Sequence, residues 1–379
     1  MKTLFAATAV ICIGCGTFPT SYYKIENDKV RLLDFIYEPP EAAPGDTVLC
    51  RAIFAGKPVS SQELTWRMSK KTIVSVYGVV TALDTVPLEI RPSECTFSDR
   101  TSCIAFTFVI PDDIIEQSPM IVENWIEEIP EYYRKEIPPI LAEKSGKELL
   151  ALLDKASRLP EMAIDEDIAG LLPFLLQYCT VPMQIYCTIQ GDHKIKSSYS
   201  VRYNNRFAKI LPDADIPVNR NPRIDSMHVY VVSKSGLIEF NPFGKKEKFE
   251  RIRITDGEAV TVAVNDDKSY FIAVFTSDLD STLSIDAAMG NSVALPEQFY
   301  SHWYLEFDEE ESEEVDFSKL ADIGGETISD CAYVAKLYPP KDKAITHCTA
   351  WVEVDDQFIN EPFRPIGSTL AEVRLNFTY

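Results

Sequence analysis

The sequence predicts a mainly β protein of two tandem antiparallel β-sandwiches, the first carrying a helical insertion. Three observations lead there. Short runs rich in β-branched and aromatic residues recur along 30–111 and again along 224–379. Each is closed by Pro, Gly, Asn or Asp, the pattern of half-buried strands joined by turns. Between them, at about 112–178, the apolar spacing changes to that of helices. Finally, residues 204–223, NNRFAKILPDADIPVNRNPR, are rich in Asn, Pro and Asp and read as a link between two units. A chain of 379 residues exceeds the usual single domain, so each unit can bury its own core.

Taken in order, the chain opens with Met1 and Lys2, an apolar run from Leu4 to Ile13 broken only by Thr8, and the small residues Gly14 and Gly16 around Cys15. That is the layout of a secretory signal peptide over 1–14. At about ten residues the run is short of the ~20 that span a bilayer as a helix. Cys12-Ile13-Gly14-Cys15 resembles the lipobox of bacterial lipoproteins, with Cys12 where that family usually has Leu. The resemblance implies that Cys15 carries the lipid and becomes the mature N-terminus, with acyl chains worth ~0.8 kcal/mol per buried CH₂ as the membrane anchor. Two other readings stand beside it: cleavage after Gly16 to release a secreted protein, and CxxC redox or zinc chemistry, which a hydrophobic targeting segment disfavours. Gly16 follows Cys15 where an acidic residue would be a retention signal. By resemblance to lipoprotein sorting, this favours the outer membrane or cell surface in a diderm cell. Residues 15–28 are polar and form the expected tether.

The first unit, 29–203, supplies VRLLDFIY, TVLCRAIF, LTWRM, TIVSVYGVV, IAFTFVIP and VPMQIYCTI as strands, with Pro44-Gly45-Asp46 as a turn. Its insertion has three helical segments. Ile121, Val122, Trp125, Ile126 and Ile129 share one face behind Ser118-Pro119; Ser145-Gly146-Lys147-Glu148 opens a leucine-rich second helix in a capping-box pattern; and 165–177 forms the third. Pro130, Pro138, Pro139 and Pro160 divide them. The second unit, 224–379, supplies MHVYVVS, ERIRIT, EAVTVAV, YFIAVFTS, FYSHWYLEF, CAYVAKLY, HCTAWVEV and AEVRLNFTY. Gly45-Asp46-Thr47-Val48 and Gly257-Glu258-Ala259-Val260 open a strand in each half, a faint sign of duplication.

Cys50, with Trp66 sixteen residues on and Cys187 in a later strand, is similar to the immunoglobulin pattern of two strand cysteines around a core tryptophan. The spacing to Cys187 is far longer than in a simple domain of that type, and Tyr-x-Cys is absent, so Cys50 with Cys187 ranks below other pairings. The lipobox-like start, VRLLDFIYEPPEAAPGDTV, VPMQIYCTIQ, NRNPRI and ITHCTAWVEVDD together resemble uncharacterised bacterial surface lipoproteins with immunoglobulin-like domains. The resemblance covers most of the chain in short motifs. It implies location and two immunoglobulin-like sandwiches, and brings no activity with it.

Composition narrows the partners. The net charge of −21 becomes −22 once Lys2 leaves with the signal, and such a surface repels phosphate backbones, so no nucleic-acid partner is expected. Of nine cysteines, two lie in the signal region. The other seven are an odd number, and in an exported chain they favour disulfides over metal ligands. The close pairs Cys95 with Cys103 and Cys331 with Cys348 are the first choices.

No reactive constellation stands out. His193, His228, His302 and His347 are scattered; no GxSxG elbow is present; Gly324-Gly325 lacks the Lys-Ser/Thr of a phosphate loop. The acidic run EFDEEESEEVD, 306–316, has no Gly to bend it around Ca²⁺ and reads as a solvated loop. No cofactor or metal is expected. The leucines of the insertion are expected in the sandwich core rather than in a groove for another protein, and Trp66, Trp303 and Trp351 in cores rather than in a sugar-stacking platform. The expectation is a lipid-anchored, non-enzymatic binding, adhesion or assembly module in the cell envelope, presenting loops and the insertion to a protein or glycan. An envelope hydrolase or carbohydrate-active enzyme and a structural subunit of an envelope complex are the alternatives.

Overall fold

The computed structural model describes residues 25–74, 80–114, 180–189, 193–202, 219–239, 249–255, 258–277, 281–286, 291–296, 298–307, 333–337, 346–357 and 367–379, with single positions at 339 and 343. The signal region with Cys15, the helical segments at 118–178, Cys331 and most of the acidic run lie outside them. Within them the chain is mainly β.

The first half contributes β1 (Val30–Glu38), β2 (Glu41–Ala42), β3 (Thr47–Gly56), β4 (Leu64–Val74), β5 (Val80–Pro87), β6 (Arg91–Ser93), β7 (Ser102–Val109), β8 (Thr180–Ile189) and β9 (His193–Arg202). They form two sheets, β1-β3-β7-β6 and β2-β9-β8-β4-β5. Pro39 and Pro40 have no N–H to continue the ladder with β3, and the chain crosses there so that β2 joins the opposite sheet beside β9. LTWRM and TIVSVYGVV, expected as separate strands, share a continuous β4 through Ser69, Lys70 and Lys71. The turn at Gly45 uses a φ of 86° that L side chains rarely adopt, and Ala43 N–H donates to Asp46 Oδ2 at 2.9 Å across it.

Both sheets close on one core. Phe35, Cys50, Phe54, Phe106 and Phe108 meet Trp66, Met183, Ile185, Cys187 and Tyr199 there. The Trp66 ring lies 4.4 Å from Phe106 and 6.0 Å from Phe35.

The second half contributes β10 (Arg223–Ser233), β11 (Glu250–Ile254), β12 (Ala259–Ala263), β13 (Lys268–Ser277), β14 (Ser281–Asp286), β15 (Asn291–Pro296), β16 (Gln298–Phe307), β17 (Tyr333–Leu337), β18 (His347–Gln357) and β19 (Ser368–Thr378). The sheets β11-β10-β13-β17 and β12-β19-β18-β16 enclose a second core around Trp303, Val229, Ile272, Val352 and Val373, while β14 and β15 pair as a ribbon. The pairing is not purely antiparallel: β2 with β9 and β12 with β19 run parallel, each placing a short strand at a sheet edge.

Candidate functional site

The outer faces of the two halves meet, and their junction starts from a one-residue irregularity. Leu32 pairs with Phe54 but Asp34 pairs with Ile53, so Leu33 is an extra residue in β1. A bulge of this kind lets two consecutive residues face the same way. Leu33 and Asp34 accordingly both serve the junction, while Phe35 and Tyr37 return to the first core.

Across from them stand the outward residues of β18 and β19. Leu33, Ile36, Ile53 and Ala55 pack with Trp351 and Leu370, and Trp351 is wholly buried. Its indole N–H donates to Glu372 Oε2 at 3.0 Å. Trp351, expected in a core, is fully buried in this third apolar cluster, which lies between the cores of the two sandwiches.

Residues 219–221, near the end of the expected link, clamp the halves. Asn219 N–H donates to Glu41 Oε1 at 2.8 Å, Asn221 Nδ2 to the Tyr37 carbonyl at 2.7 Å, and Ser368 N–H to Asn221 Oδ1 at 3.0 Å. Buried Asp356 accepts from the Gly367 N–H.

Beside this clamp lies a group of three carboxylates, Asp34 and Asp355 buried and Glu353 half-buried. Asp34 from β1 accepts a hydrogen bond from Ser368 Oγ; Glu353 Oε2 accepts one from Tyr304 OH at 3.0 Å; Asp355 Oδ2 lies 3.6 Å from His302 Nε2. Burial pushes the Asp34 carboxyl up to about 7, against its hydrogen bonds from Ser368 and the Phe35 backbone. Burial, then the negative charges of Asp34 and Asp355, push Glu353 up to about 9. Asp355 rises to about 7, from burial first and then Asp34. Charge in so dry a place is costly unless paired, and among the described residues none of the three has a Lys or Arg ion pair.

Next to the junction opens a cleft of about 970 Å³. One wall is Thr96–Ser98, in the loop that the Cys95–Cys103 disulfide closes, with Cα atoms 5.5 Å apart. The other walls are Pro222–Met227, Arg253–Thr255 and β19 from Thr369 to Arg374. Two ionic links tie the disulfide loop to the second half, Arg374 with Asp99 and Arg100 with Glu306 at 3.6 Å. Arg374 also donates to Glu372 at 2.7 Å. Arg223 and Arg253 are exposed on the cleft and have no ion pair or hydrogen bond among the described residues. Of the three guanidinium groups on the cleft, Arg374 is taken up by Glu372 and Asp99, which leaves Arg223 and Arg253 facing Asp225 as the remaining lining carboxylate in a chain of net charge −21.

Of the sequence-derived sites, Cys95 and Cys103 are joined as expected. Cys348 is buried in the second core, and its expected partner Cys331 lies outside the described residues. Cys50 and Cys187 are buried free thiols in the first core, and burial holds both thiols well above their ordinary range. The histidines are not brought together: His228 packs 5.4 Å from Phe275, and His347 Nδ1 lies 2.7 Å from Asn376 Oδ1. Among the described residues no group of His, Cys, Asp and Glu is placed to hold a metal.

Sequence reasoning missed Arg223 and Arg253. Arg223 closed the expected link and Arg253 alternates with Ile252 and Ile254 in an ordinary strand; only the topology makes them neighbours of one space. Compared with known proteins, the chain matches no family model and no curated protein.

Proposed function

We propose that this is a lipid-anchored cell-envelope protein acting as a non-enzymatic binding module, with the cleft between its two halves as the binding site for an anionic protein or glycan. The observation that carries this reading is the cleft itself. Both halves build it, a disulfide frames one wall, and it exposes two guanidinium groups with no carboxylate to satisfy them among the described residues. Guanidinium forks match carboxylate and phosphate oxygens in pairs. The hydroxyls of Thr96, Ser98, Ser226, Thr255 and Thr369 add neutral hydrogen-bonding groups along the same walls.

Two other parts of the reading rest on the sequence. The lipobox-like Cys12–Cys15 supports an anchor at Cys15, which puts the module on an envelope membrane. The placement of Cys50 and Cys187 in one core with Trp66 supports an immunoglobulin-like identity for the first sandwich.

Titration of the full-length protein in detergent with a polyuronate, a polyglutamate and a neutral glucan tests the binding reading. At least one polyanion binds, the neutral polymer does not, and Arg223→Glu with Arg253→Glu lowers the affinity by roughly tenfold or more, the scale of a lost charge-assisted contact. Equal binding by the double variant would move the site elsewhere.

A further inference from the structure

We propose that the buried carboxylates Asp34 and Asp355, with the half-buried Glu353, form a proton-controlled latch between the two sandwiches, docked while the group holds protons and released as it becomes charged. The geometry is that of a junction rather than of either core. Asp34 comes from β1 of the first half, Glu353 and Asp355 from β18 of the second. Asp34 and Asp355 are 6% and 5% exposed, so the docked state removes carboxylates of both halves from water together. Separation would return them to solvent, where all three can ionise at little cost.

What faces the group offers little compensation. From β1 comes Arg31, whose guanidinium sits 5.8 Å from the centre of the Tyr304 ring; Tyr37 and Cys50, on the first-core side of β1 and β3, are held neutral by burial and add no cation. From β16 come His302 and Tyr304, and from β19 the Ser368 hydroxyl. Burial lowers the proton affinity of His302 despite Asp355, so near neutral pH it does not supply a matching charge. The hydroxyl donors Ser368 and Tyr304 satisfy one oxygen each.

The sign follows from linkage. A carboxyl whose proton is held more tightly in the docked state favours docking below its free value near 4, and that contribution is lost as pH rises through the docked values of about 7 to about 9. Acid therefore closes the junction and alkali opens it. The cleft shares β19 with the latch, Ser368 lying beside Thr369, so the same proton uptake fixes the spacing of the cleft walls. That consequence for binding rests on the function proposed above; the latch does not.

Hydroxyl-radical footprinting of the full-length protein without any ligand tests it. Trp351 is buried in the junction, whereas Trp66 and Trp303 are buried in the two separate cores and report unfolding. Between about pH 5 and about pH 9, oxidation of Trp351 relative to Trp303 rises roughly tenfold or more, the effect of one unit of differential proton affinity, while Trp66 stays protected. Asp34→Asn, which keeps a group able to bond Ser368 but carries no charge, reduces the rise at pH 9 severalfold, with Glu353 and Asp355 left to ionise. Glu353→Gln does the same from the other half should Asp34→Asn fold poorly. A wild-type Trp351 as protected as Trp303 throughout, or an unchanged pH dependence in both variants, overturns the latch. If the footprint behaves as described but no polyanion binds, only the binding reading falls.

Discussion

The Cys95–Cys103 disulfide offers a quantitative handle on the cleft. The bond closes a short loop with a sequence separation of 8. Taking the loop-closure entropy of the unfolded chain as 2.1 plus 1.5R ln n cal/mol/K gives about 8 cal/mol/K, or about 2.5 kcal/mol at 25 °C, close to a seventyfold change in the folding equilibrium. Some local order survives without the bond, because Ser98 N–H donates to Thr101 Oγ1 at 3.2 Å and Arg100 N–H to Ser98 Oγ at 3.2 Å. What is lost is the fixed approach of Asp99 to Arg374 and of Arg100 to Glu306. Cys95→Ser with Cys103→Ser, followed by urea unfolding, should destabilise the transition of the first sandwich by about 2–3 kcal/mol. Wild-type protein reduced before the titration should match the double variant. Intact stability in both, or free thiols at positions 95 and 103 in oxidised wild-type protein, would refute the reasoning.

Other perturbations test separate parts of the molecule. Trp66→Ala empties the centre of the first core and should cost about 3–5 kcal/mol by denaturant titration. Trp351→Phe leaves Glu372 without its indole donor and should cost roughly 1–3 kcal/mol, seen as a weaker junction with both cores intact. His228 is held down to about 4 by burial and then by Arg251 and Arg253, so it favours the folded state above its ordinary 6.5, and that advantage is lost as pH falls through about 4; His228→Phe should flatten this limb of the melting-temperature profile. Cys15→Ser should abolish acylation and shift the protein out of the membrane fraction; a variant that stays membrane-bound beside a wild type without lipid would remove the anchor.

Much of the strand pattern could be read because burial and periodicity agree locally. In β12 the residues alternate exposed and buried, and β3, β7, β8, β13 and β18 appear as apolar runs. Other strands were hidden by their surroundings. Ile195, Tyr199 and Val201 of β9 lie among Lys and Ser, and the short runs of β14 and β15 pair mainly with each other. The run VRLLDFIY announced a strand, but not that its two faces serve different purposes. Phe35 and Tyr37 fill one core while Leu33 and Ile36 cover the junction, a division set by a bulge that only pairing with β3 reveals.

The cleft and the latch were less legible still. Asp34 looks like the polar member of an alternating strand until Ser368, 334 residues away, comes to meet it. Arg223 and Arg253 acquire meaning from the carboxylates they do not meet. By contrast, Cys95 with Cys103 was readable because two cysteines so close in sequence need only a tight turn to meet.

Site-specific photo-crosslinking in intact cells addresses the central claim most directly. A photoreactive residue at Ser98, on the cleft wall, is compared with one at Val86, an exposed position on β5 in the first sandwich's other sheet. The structure predicts an adduct from position 98 that disappears with Arg223→Glu and Arg253→Glu, and none from position 86. An adduct from position 86 alone, or one from position 98 that survives both charge reversals, would contradict it.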